Sequence, residues 1–181
     1  MNENGIPMVS RDGRALSRVA KGLKFIRKEV LVQAIEAGTH RLIHLDMRRP
    51  YEYEGGHIKA AVSIDWRSED RQRRLRGALV SALRGGGTVS ERGDDSIIVV
   101  IYCEFGGKRS PQAAAEAAKA LAELSSRRSS GGGGGGGSSS SSSSSSKNGE
   151  LHAITVVVLH GGYKQFYEEY PGLCDGGYVP E

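Results

Sequence analysis

One segment of the sequence combines a cysteine and an arginine at a spacing suited to nucleophilic chemistry. Cys103 and Arg109 enclose five residues, Glu-Phe-Gly-Gly-Lys, which include two adjacent glycines. Glycine permits the tight curl that turns successive backbone N–H groups inward onto an anion. Arginine can hold two oxygens of one oxyanion, and a thiolate can attack its central atom. The spacing therefore predicts that Cys103 is a nucleophile and that Arg109 binds a phosphate-like group.

The elements on either side must position this loop. Residues 96–103 are continuously apolar and rich in β-branched side chains, which predicts a central parallel strand buried on both faces. Residues 110–124 are mostly good helix formers, with Pro111 in the first turn. The positive N-terminal end of this helix would favour both the bound anion and the thiolate form of Cys103.

The rest of the chain alternates between predicted helices and predicted strands. Helical spacing of apolar residues predicts helices at 25–37, 69–83, 110–124 and 163–170. Apolar runs predict strands at 41–46, 60–64, 96–103 and 153–159. Residues 50–57 are interpreted as a turn because they contain two glycines. This alternation predicts an α/β fold with a central, mostly parallel sheet flanked by helices. Ligands bind beyond the carboxyl ends of the strands in such folds, which is where Cys103 lies.

The length and composition fit one domain with an insertion. The chain has 181 residues, and a single domain usually has about 100 to 200. Residues 125–149 are almost entirely serine and glycine, which cannot bury enough apolar area to offset the entropy of ordering. We predict a mobile N-terminal arm over 1–23 and a catalytic domain over 24–181, with 125–149 as a disordered insertion.

Charge and cysteine content exclude several classes of protein. The net charge of +4 is too small to indicate nucleic-acid binding. No apolar run of about 18 residues predicts a membrane span, and the N-terminus lacks the apolar core of a signal peptide. Cys103 and Cys174 allow one disulfide at most, so a reducing cytoplasmic or nuclear setting with free thiols is expected. The arginines within 67–76 fit a solvated helix face or, alternatively, a dock for an acidic or phosphorylated partner.

Three motifs, in this order, resemble those of the M-phase inducer phosphatases, which are dual-specificity enzymes with a rhodanese fold. They are DMRRPYEYEGGHI at 46–58, YCEFGGKRSP at 102–111, and a closing segment with LHGGYKQFY at 159–167 and CDGGYVP at 174–180. The resemblance covers about residues 25–180. It implies a rhodanese-like domain and a cysteine-dependent protein phosphatase that acts through a cysteinyl-phosphate intermediate.

The resemblance also implies roles for individual residues. Cys103 matches the nucleophile, Arg109 matches the phosphate clamp, and Glu104 matches an acidic residue that we count among the catalytic candidates. The phosphate-binding loop would consist of Glu104, Phe105, Gly106, Gly107, Lys108 and Arg109. Asp46, Arg48 and His57 match positions that support the fold through buried hydrogen bonds or ion pairs. No metal or cofactor is implied. The implied partner is a phosphoprotein substrate, with a cyclin-dependent kinase as one candidate.

The sequence departs from the family pattern inside and behind the loop. The family usually has histidine at the position of Tyr102, and tyrosine can keep a hydrogen bond but cannot carry positive charge. It has serines in place of Gly106 and Gly107, and an acidic residue in place of Lys108. Met47 replaces a cysteine that can form a protective disulfide, which leaves Cys174 as the other thiol.

Other functions remain open from the sequence. An arsenate reductase would use the same loop to bind arsenate and would take electrons from glutathione and glutaredoxin. A sulfurtransferase is less favoured, because those enzymes have a six-residue loop and the seven residues here fit a tetrahedral oxyanion. A phosphate-binding domain with degraded catalysis is the non-enzymatic alternative. The Glu-Phe pair after Cys103 and the Pro-Tyr-Glu-Tyr segment at 50–53 favour the phosphatase.

Overall fold

A parallel sheet positions the predicted loop. The computed structural model describes residues 22–38, 40–84, 96–129 and 154–180. The strands are β1 Lys24–Ile26, β2 Arg41–Asp46, β3 Gly56–Ile58, β4 Val62–Ser63, β5 Ile97–Tyr102, β6 Ile154–Leu159 and β7 Cys174–Gly176. Five of them form one sheet in the order β1-β6-β5-β2-β4, and every neighbouring pair is parallel. The short strands β3 and β7 pair antiparallel beside it.

Helices cover both faces of the sheet, so the predicted α/β architecture is confirmed. The helices are α1 Lys28–Ala37, α2 Pro50–Gly55, α3 Arg71–Arg84, α4 Arg109–Ser129 and α5 Gly162–Glu169, with a 3₁₀ turn at Pro171–Leu173. One core cluster joins the sheet to α1, α5 and β3, and a second joins it to α3 and α4. Among the described helices, none is both long enough and apolar enough to span a lipid bilayer.

The alternation of side chains along β5 decides which way the cysteine faces. Ile98, Val100 and Tyr102 belong to the cluster on the α1 and α5 side. Ile97, Val99, Ile101 and Cys103 belong to the cluster on the α3 and α4 side. Because successive residues of a strand point to opposite faces, the Cys103 side chain must lie on the α4 side of the sheet.

Several element boundaries differ from the prediction near the start of the chain. The helix predicted at 25–37 begins only at Lys28, because Phe25 and Ile26 form β1 and pair with Val158 and Leu159 of β6. The segment 50–57, interpreted as a turn, is instead α2 followed by β3. Its proline stands in the first turn of α2, where the missing N–H group costs no helical bond.

The C-terminal half contains two further differences. Helix α4 continues to Ser129, so the first five residues of the predicted insertion are helical. Strand β7 lies in a segment for which no element was predicted. Residues 1–21 and 130–153 lie outside the described residues, so the N-terminal arm and most of the 125–149 insertion stay predictions.

A buried histidine makes the stability of this fold dependent on pH. His44 in β2 is 6% exposed, and its Nδ1 atom lies 3.3 Å from the carbonyl oxygen of Lys59. Burial lowers the pKa of His44 below its usual 6.5. The unfolded chain therefore binds a proton more readily, so the free energy of unfolding should fall as the pH falls below about 6.5.

We expect His44→Gln to remove part of this acid destabilisation. The measurement is urea unfolding from about pH 7.5 to about pH 5.5, with the slope of stability against pH as the readout. His160→Gln, at an exposed position, is the matched control and should leave the slope unchanged. A wild-type slope in the His44 variant would contradict the prediction.

Candidate active site

Cys103 lies at the carboxyl end of β5, at the foot of α4. Its side chain is 3% exposed, and its Sγ atom lies 3.2 Å from Oγ of Ser110, which is fully buried. Ser110 is the second residue of α4, so the thiol meets the first turn of that helix. The sulfur therefore lies beside a hydroxyl and the N-terminal end of a helix, which is a position that favours a bound anion.

The curl of the loop depends on Gly106 and on the start of α5. Gly106 has φ +68°, and a Cβ atom there would lie 2.7 Å from the carbonyl oxygen of Leu159. The N–H groups of Tyr163 and Lys164 donate to the carbonyl oxygens of Cys103 and Glu104, at 2.9 and 3.1 Å. The loop is therefore held against α5 by backbone hydrogen bonds as well as by its own conformation.

Arg109, the predicted phosphate clamp, is joined to a buried carboxylate. Its Nη1 atom donates to Oε2 of Glu52 at 3.1 Å, and Glu52 is fully buried. The same oxygen accepts the N–H of Arg49 at 2.9 Å, which ties the carboxylate to the start of α2. Among the described residues, no group hydrogen-bonds to Oε1 of Glu52. The pair orients the guanidinium, because Glu52 is itself fixed by α2.

Glu104 is turned toward the C-terminal segment of the domain. Its side chain is 1% exposed and accepts a hydrogen bond from the hydroxyl of Tyr178. Burial, followed by this contact with Glu104, raises the pKa of Tyr178. The contact holds the start of the loop to the closing segment, which gives Glu104 a structural role beside the catalytic one that the family resemblance implies.

The group behind the loop is a buried ion pair. Arg48 donates to both carboxylate oxygens of Asp46, with Nη2 at 2.7 Å from Oδ2 and Nε at 3.1 Å from Oδ1. Both residues are 0% exposed, and the guanidinium stacks on the ring of Tyr163 at 3.9 Å. The supporting role predicted for Asp46 and Arg48 is confirmed. His57 also fits that role, because its Nδ1 atom donates to the carbonyl oxygen of Tyr53 at 2.8 Å.

Tyr102, which stands where the family usually has histidine, points away from the sulfur. It is fully buried in the cluster on the α1 and α5 side, and its hydroxyl accepts the N–H of Ile58 at 3.2 Å. Burial raises the pKa of Tyr102 well above its usual range, and the carboxylate of Asp46 raises it further. The tyrosine is therefore a neutral packing residue that joins β5 to β3.

The two thiols lie on opposite faces of the sheet. Cys103 is in the cluster with α3 and α4, whereas Cys174 is in the cluster with α1 and α5. Both are free, and Met47 lies buried on the same side as Cys103. Burial raises the pKa of Cys174, which disfavours its thiolate. The sheet thus separates the only two cysteines of the chain.

A cavity of about 590 Å³ opens over the sulfur. The loop contributes Cys103, Phe105, Gly107, Lys108 and Arg109 to its wall. Trp66, Arg67 and Gln112 complete the lining. Phe105 is 57% exposed and Lys108 is also exposed, so these two side chains form the rim. The cavity brings the predicted nucleophile and the predicted clamp to one space.

Sequence reasoning missed three residues at this site. Glu52 was hidden because 50–57 was interpreted as a turn, although Pro50 followed by Glu52 is a helix-start pattern that could have revealed it. Ser110 was counted only as a helix residue. Trp66 follows β4 at the same sheet edge as Cys103, and the rule that ligands bind at carboxyl ends of strands could have pointed to it.

Sequence comparison agrees with the motifs. The family model described as "Rhodanese-like domain" matches residues 28–169. M-phase inducer phosphatase 1 of Homo sapiens is 29% identical over 157 residues, which cover 84% of this chain and 24% of that protein. M-phase inducer phosphatase 2 of Homo sapiens is 24% identical over 160 residues, with 84% and 22% covered. The chain thus spans about a quarter of the length of these relatives, and the predicted similarity is confirmed.

Solved structures support the same fold. Two structures of one Saccharomyces cerevisiae protein align with TM-scores of 0.54 and 0.56, each at 19% identity. They cover 86% and 89% of this chain, and 93% and 91% of the yeast chains. One is described as a protein tyrosine phosphatase of the rhodanese family. At this level of identity the likeness concerns the fold, and it confirms the predicted rhodanese-like arrangement.

Proposed function

Because the chain belongs to the rhodanese-like domain family, we propose that it is a cysteine-dependent protein phosphatase with a cysteinyl-phosphate intermediate. The observation that carries the proposal is the shared cavity of Cys103 and Arg109. The sulfur is at the end of a buried strand and beside a helix N-terminus, and the guanidinium reaches the same space. The similarity to M-phase inducer phosphatases adds support.

The reaction that this arrangement supports has two steps. In the first, the Cys103 thiolate attacks phosphorus, an S–P bond forms, and the P–O ester bond breaks to release an alcohol or phenol after protonation. In the second, water attacks phosphorus, the S–P bond breaks, and inorganic phosphate and the thiolate are released. Arg109 and the loop N–H groups stabilise the charge on the phosphoryl oxygens in both transition states. The hydroxyl of Ser110, at 3.2 Å, can donate to the departing thiolate.

The proposed substrate is a phosphoprotein that carries phosphotyrosine or phosphothreonine. A cyclin-dependent kinase stays one candidate, as the family resemblance implies. We also propose a cytoplasmic or nuclear setting, because a catalytic thiolate needs reducing surroundings.

The decisive experiment captures the intermediate. The purified chain is mixed with an aryl phosphate, quenched in acid during turnover and digested, and a phosphoryl adduct on the Cys103 peptide is sought by mass spectrometry. We expect the adduct on Cys103 and none on the Cys174 peptide. Arsenate reduction with glutathione and glutaredoxin, or sulfur transfer from thiosulfate to cyanide, is measured in parallel. Either activity without ester hydrolysis would contradict the proposal.

We expect Arg109→Lys to lower kcat/KM for an aryl phosphate by about 10²-fold to 10³-fold. Lysine keeps the charge, but it lacks the planar guanidinium of arginine. That guanidinium can bind two phosphoryl oxygens and at the same time pair with Glu52. The measurement is steady-state hydrolysis, together with binding of tungstate as a phosphate mimic. Arg73→Lys, at a side chain that is 84% exposed, is the matched control. Full activity in Arg109→Lys would show that the clamp is another group.

A further inference from the structure

A second cavity lies at the edge of the sheet that is opposite to β1. Its volume is about 410 Å³, and residues of β2, β4 and α3 line it. The lining residues are Arg41, Ile43, Val62, Ile64, Arg74, Ala78, Ser81 and Ala82. None of them lines the cavity over Cys103, and none has a role in the reaction proposed above. We call this second cavity the edge groove.

Strand β2 is only partly covered by β4 beside the edge groove. On its β5 side, β2 is paired over its whole length, Arg41–Asp46. On its other side it is paired with β4 only at Leu45 and Asp46. Within the described part of the chain, residues 41–44 therefore have no strand beside them on the β4 side. An unpaired stretch of this kind is a template to which an extended peptide can add as a further strand.

The backbone of β2 shows which groups such a peptide would meet. The N–H of Arg41 donates to the carbonyl oxygen of Ser96 at 3.3 Å, on the β5 side. Backbone groups point to alternate sides along a strand, so the N–H groups of Leu42 and His44 point toward the open edge. The side chains of Arg41 and Ile43 line the groove. The open edge and the groove thus meet along this part of β2.

The edge groove has the length of a short extended peptide. Val62 lies beside Leu45 in the pairing of β4 with β2, and Arg41 precedes Leu45 by four residues. At about 3.3 Å per residue, the distance along β2 from Arg41 to the level of Val62 is about 13 Å. The side chain of Val62 is 46% exposed. A peptide strand of about four residues would therefore cover an apolar side chain that solvent now reaches.

The charge of the edge groove favours an acidic occupant. Arg41 and Arg74 line it, and no carboxylate does so among the described residues. Three other arginines of α3 are paired with carboxylates outside that helix: Arg71 with Glu116, Arg73 with Asp70, and Arg76 with Glu123. Arg74 is exposed and donates instead to the carbonyl oxygen of Ser63 at 3.1 Å. That hydrogen bond holds its guanidinium next to β4, where a carboxylate of a ligand can reach the remaining donors.

We propose that the edge groove is a docking site for an extended acidic segment of a partner protein, which adds to β2 as a strand beside residues 41–44. Carboxylates of the segment bind Arg41 and Arg74. An apolar side chain between them covers Val62. A second copy of the chain fits less well, because a symmetric pair would bring the arginines of both grooves together. The docking site does not depend on the proposed phosphatase function.

Titration with short peptides, followed by the backbone amide signals of the isotopically labelled chain, tests the inference. The probe is a blocked peptide in which aspartate, valine and aspartate alternate with serine, so that these three side chains share one face of a strand. The control peptide has asparagine in place of both aspartates. We expect the aspartate peptide to bind at least about 10-fold more tightly, as charge-assisted hydrogen bonds allow. Hydrogen exchange at the Leu42 and His44 amides should slow at saturation.

Variants at exposed positions assign the binding to the edge groove. Arg74→Gln should lower the affinity for the aspartate peptide by about 10-fold, and Val62→Ser should also lower it. Arg73→Gln is the matched control and should bind as the wild type does, because Arg73 is 84% exposed and does not line the groove. Equal affinities for the two peptides, or wild-type affinity in Arg74→Gln, would overturn the inference.

Two further results would assign the groove to a different occupant and so overturn the inference. The first is peptide binding that is seen only after Glu91→Gln, Asp94→Asn and Asp95→Asn are combined, which would mean that an acidic segment of the chain itself fills the groove. The second is a doubling of mass in sedimentation that Val62→Ser abolishes, which would mean that a second copy fills it. Aryl phosphate hydrolysis is measured separately, so failure of the phosphatase function is distinguishable from failure at the groove.

Discussion

Replacing Cys103 with serine should lower kcat for an aryl phosphate by at least about 10⁴-fold, because the covalent pathway then has no competent nucleophile. A serine hydroxyl is not ionised at neutral pH, and among the described residues no carboxylate or imidazole lines the cavity in which it would lie. Its Oγ would still lie beside Ser110 in the same cavity. The measurement is steady-state hydrolysis at saturating substrate, with the limit of detection set by a heat-inactivated sample.

Binding and a second cysteine variant separate chemistry from folding. Cys103→Ser should keep its affinity for tungstate, because the loop N–H groups and Arg109 are unchanged. Cys174→Ser is the matched control, since Cys174 is also a buried free thiol but lies on the opposite face of the sheet. It should retain nearly full activity. Loss of activity in Cys174→Ser, with activity retained in Cys103→Ser, would place the nucleophile elsewhere.

The strand, the loop and the helix at Cys103 were predictable because each has a strong local signal. A continuous β-branched run gave β5, which the structure has at Ile97–Tyr102, and a run of helix formers gave α4. The alternation of the two element types then required the parallel sheet that is observed. Local propensity and global topology agree in this part of the chain, which is why the position of Cys103 could be inferred.

Short elements and long-range contacts were not predictable in the same way. Strands β1, β3 and β7 have three residues each and exist because a partner strand satisfies their hydrogen bonds. Glu52 reaches Arg109 across 57 residues of sequence, and Tyr178 reaches Glu104 across 74. No pattern in one segment reports such a contact. The residues that orient the loop are therefore harder to foresee than the residues that form it.

Arg48→Met should lower the free energy of unfolding by about 3–5 kcal/mol, the cost of leaving a buried charge without its partner. Asp46 is 0% exposed and accepts from Nε and Nη2 of Arg48. The substitution also removes the bond from Nη2 to the carbonyl oxygen of Gly56 at 2.5 Å and the stacking on Tyr163. The measurement is urea unfolding followed by the fluorescence of Trp66, the single tryptophan of the chain.

A double-mutant cycle shows whether the charge or the packing carries this cost. Asp46→Leu combined with Arg48→Met replaces both charges with apolar groups, which is often nearly neutral, so the double variant should be more stable than Arg48→Met alone. Arg73→Met, at an 84% exposed side chain, should change stability by no more than about 0.5 kcal/mol. The result that contradicts this expectation is a loss of unfolding free energy in the double variant that exceeds the sum of the losses in the two single variants. Packing on Tyr163 would then dominate the cost. Arg48 would then position the Cys103–Arg109 loop through its stacking on the Tyr163 ring. In that case Arg48→Met should lose oxyanion binding together with stability.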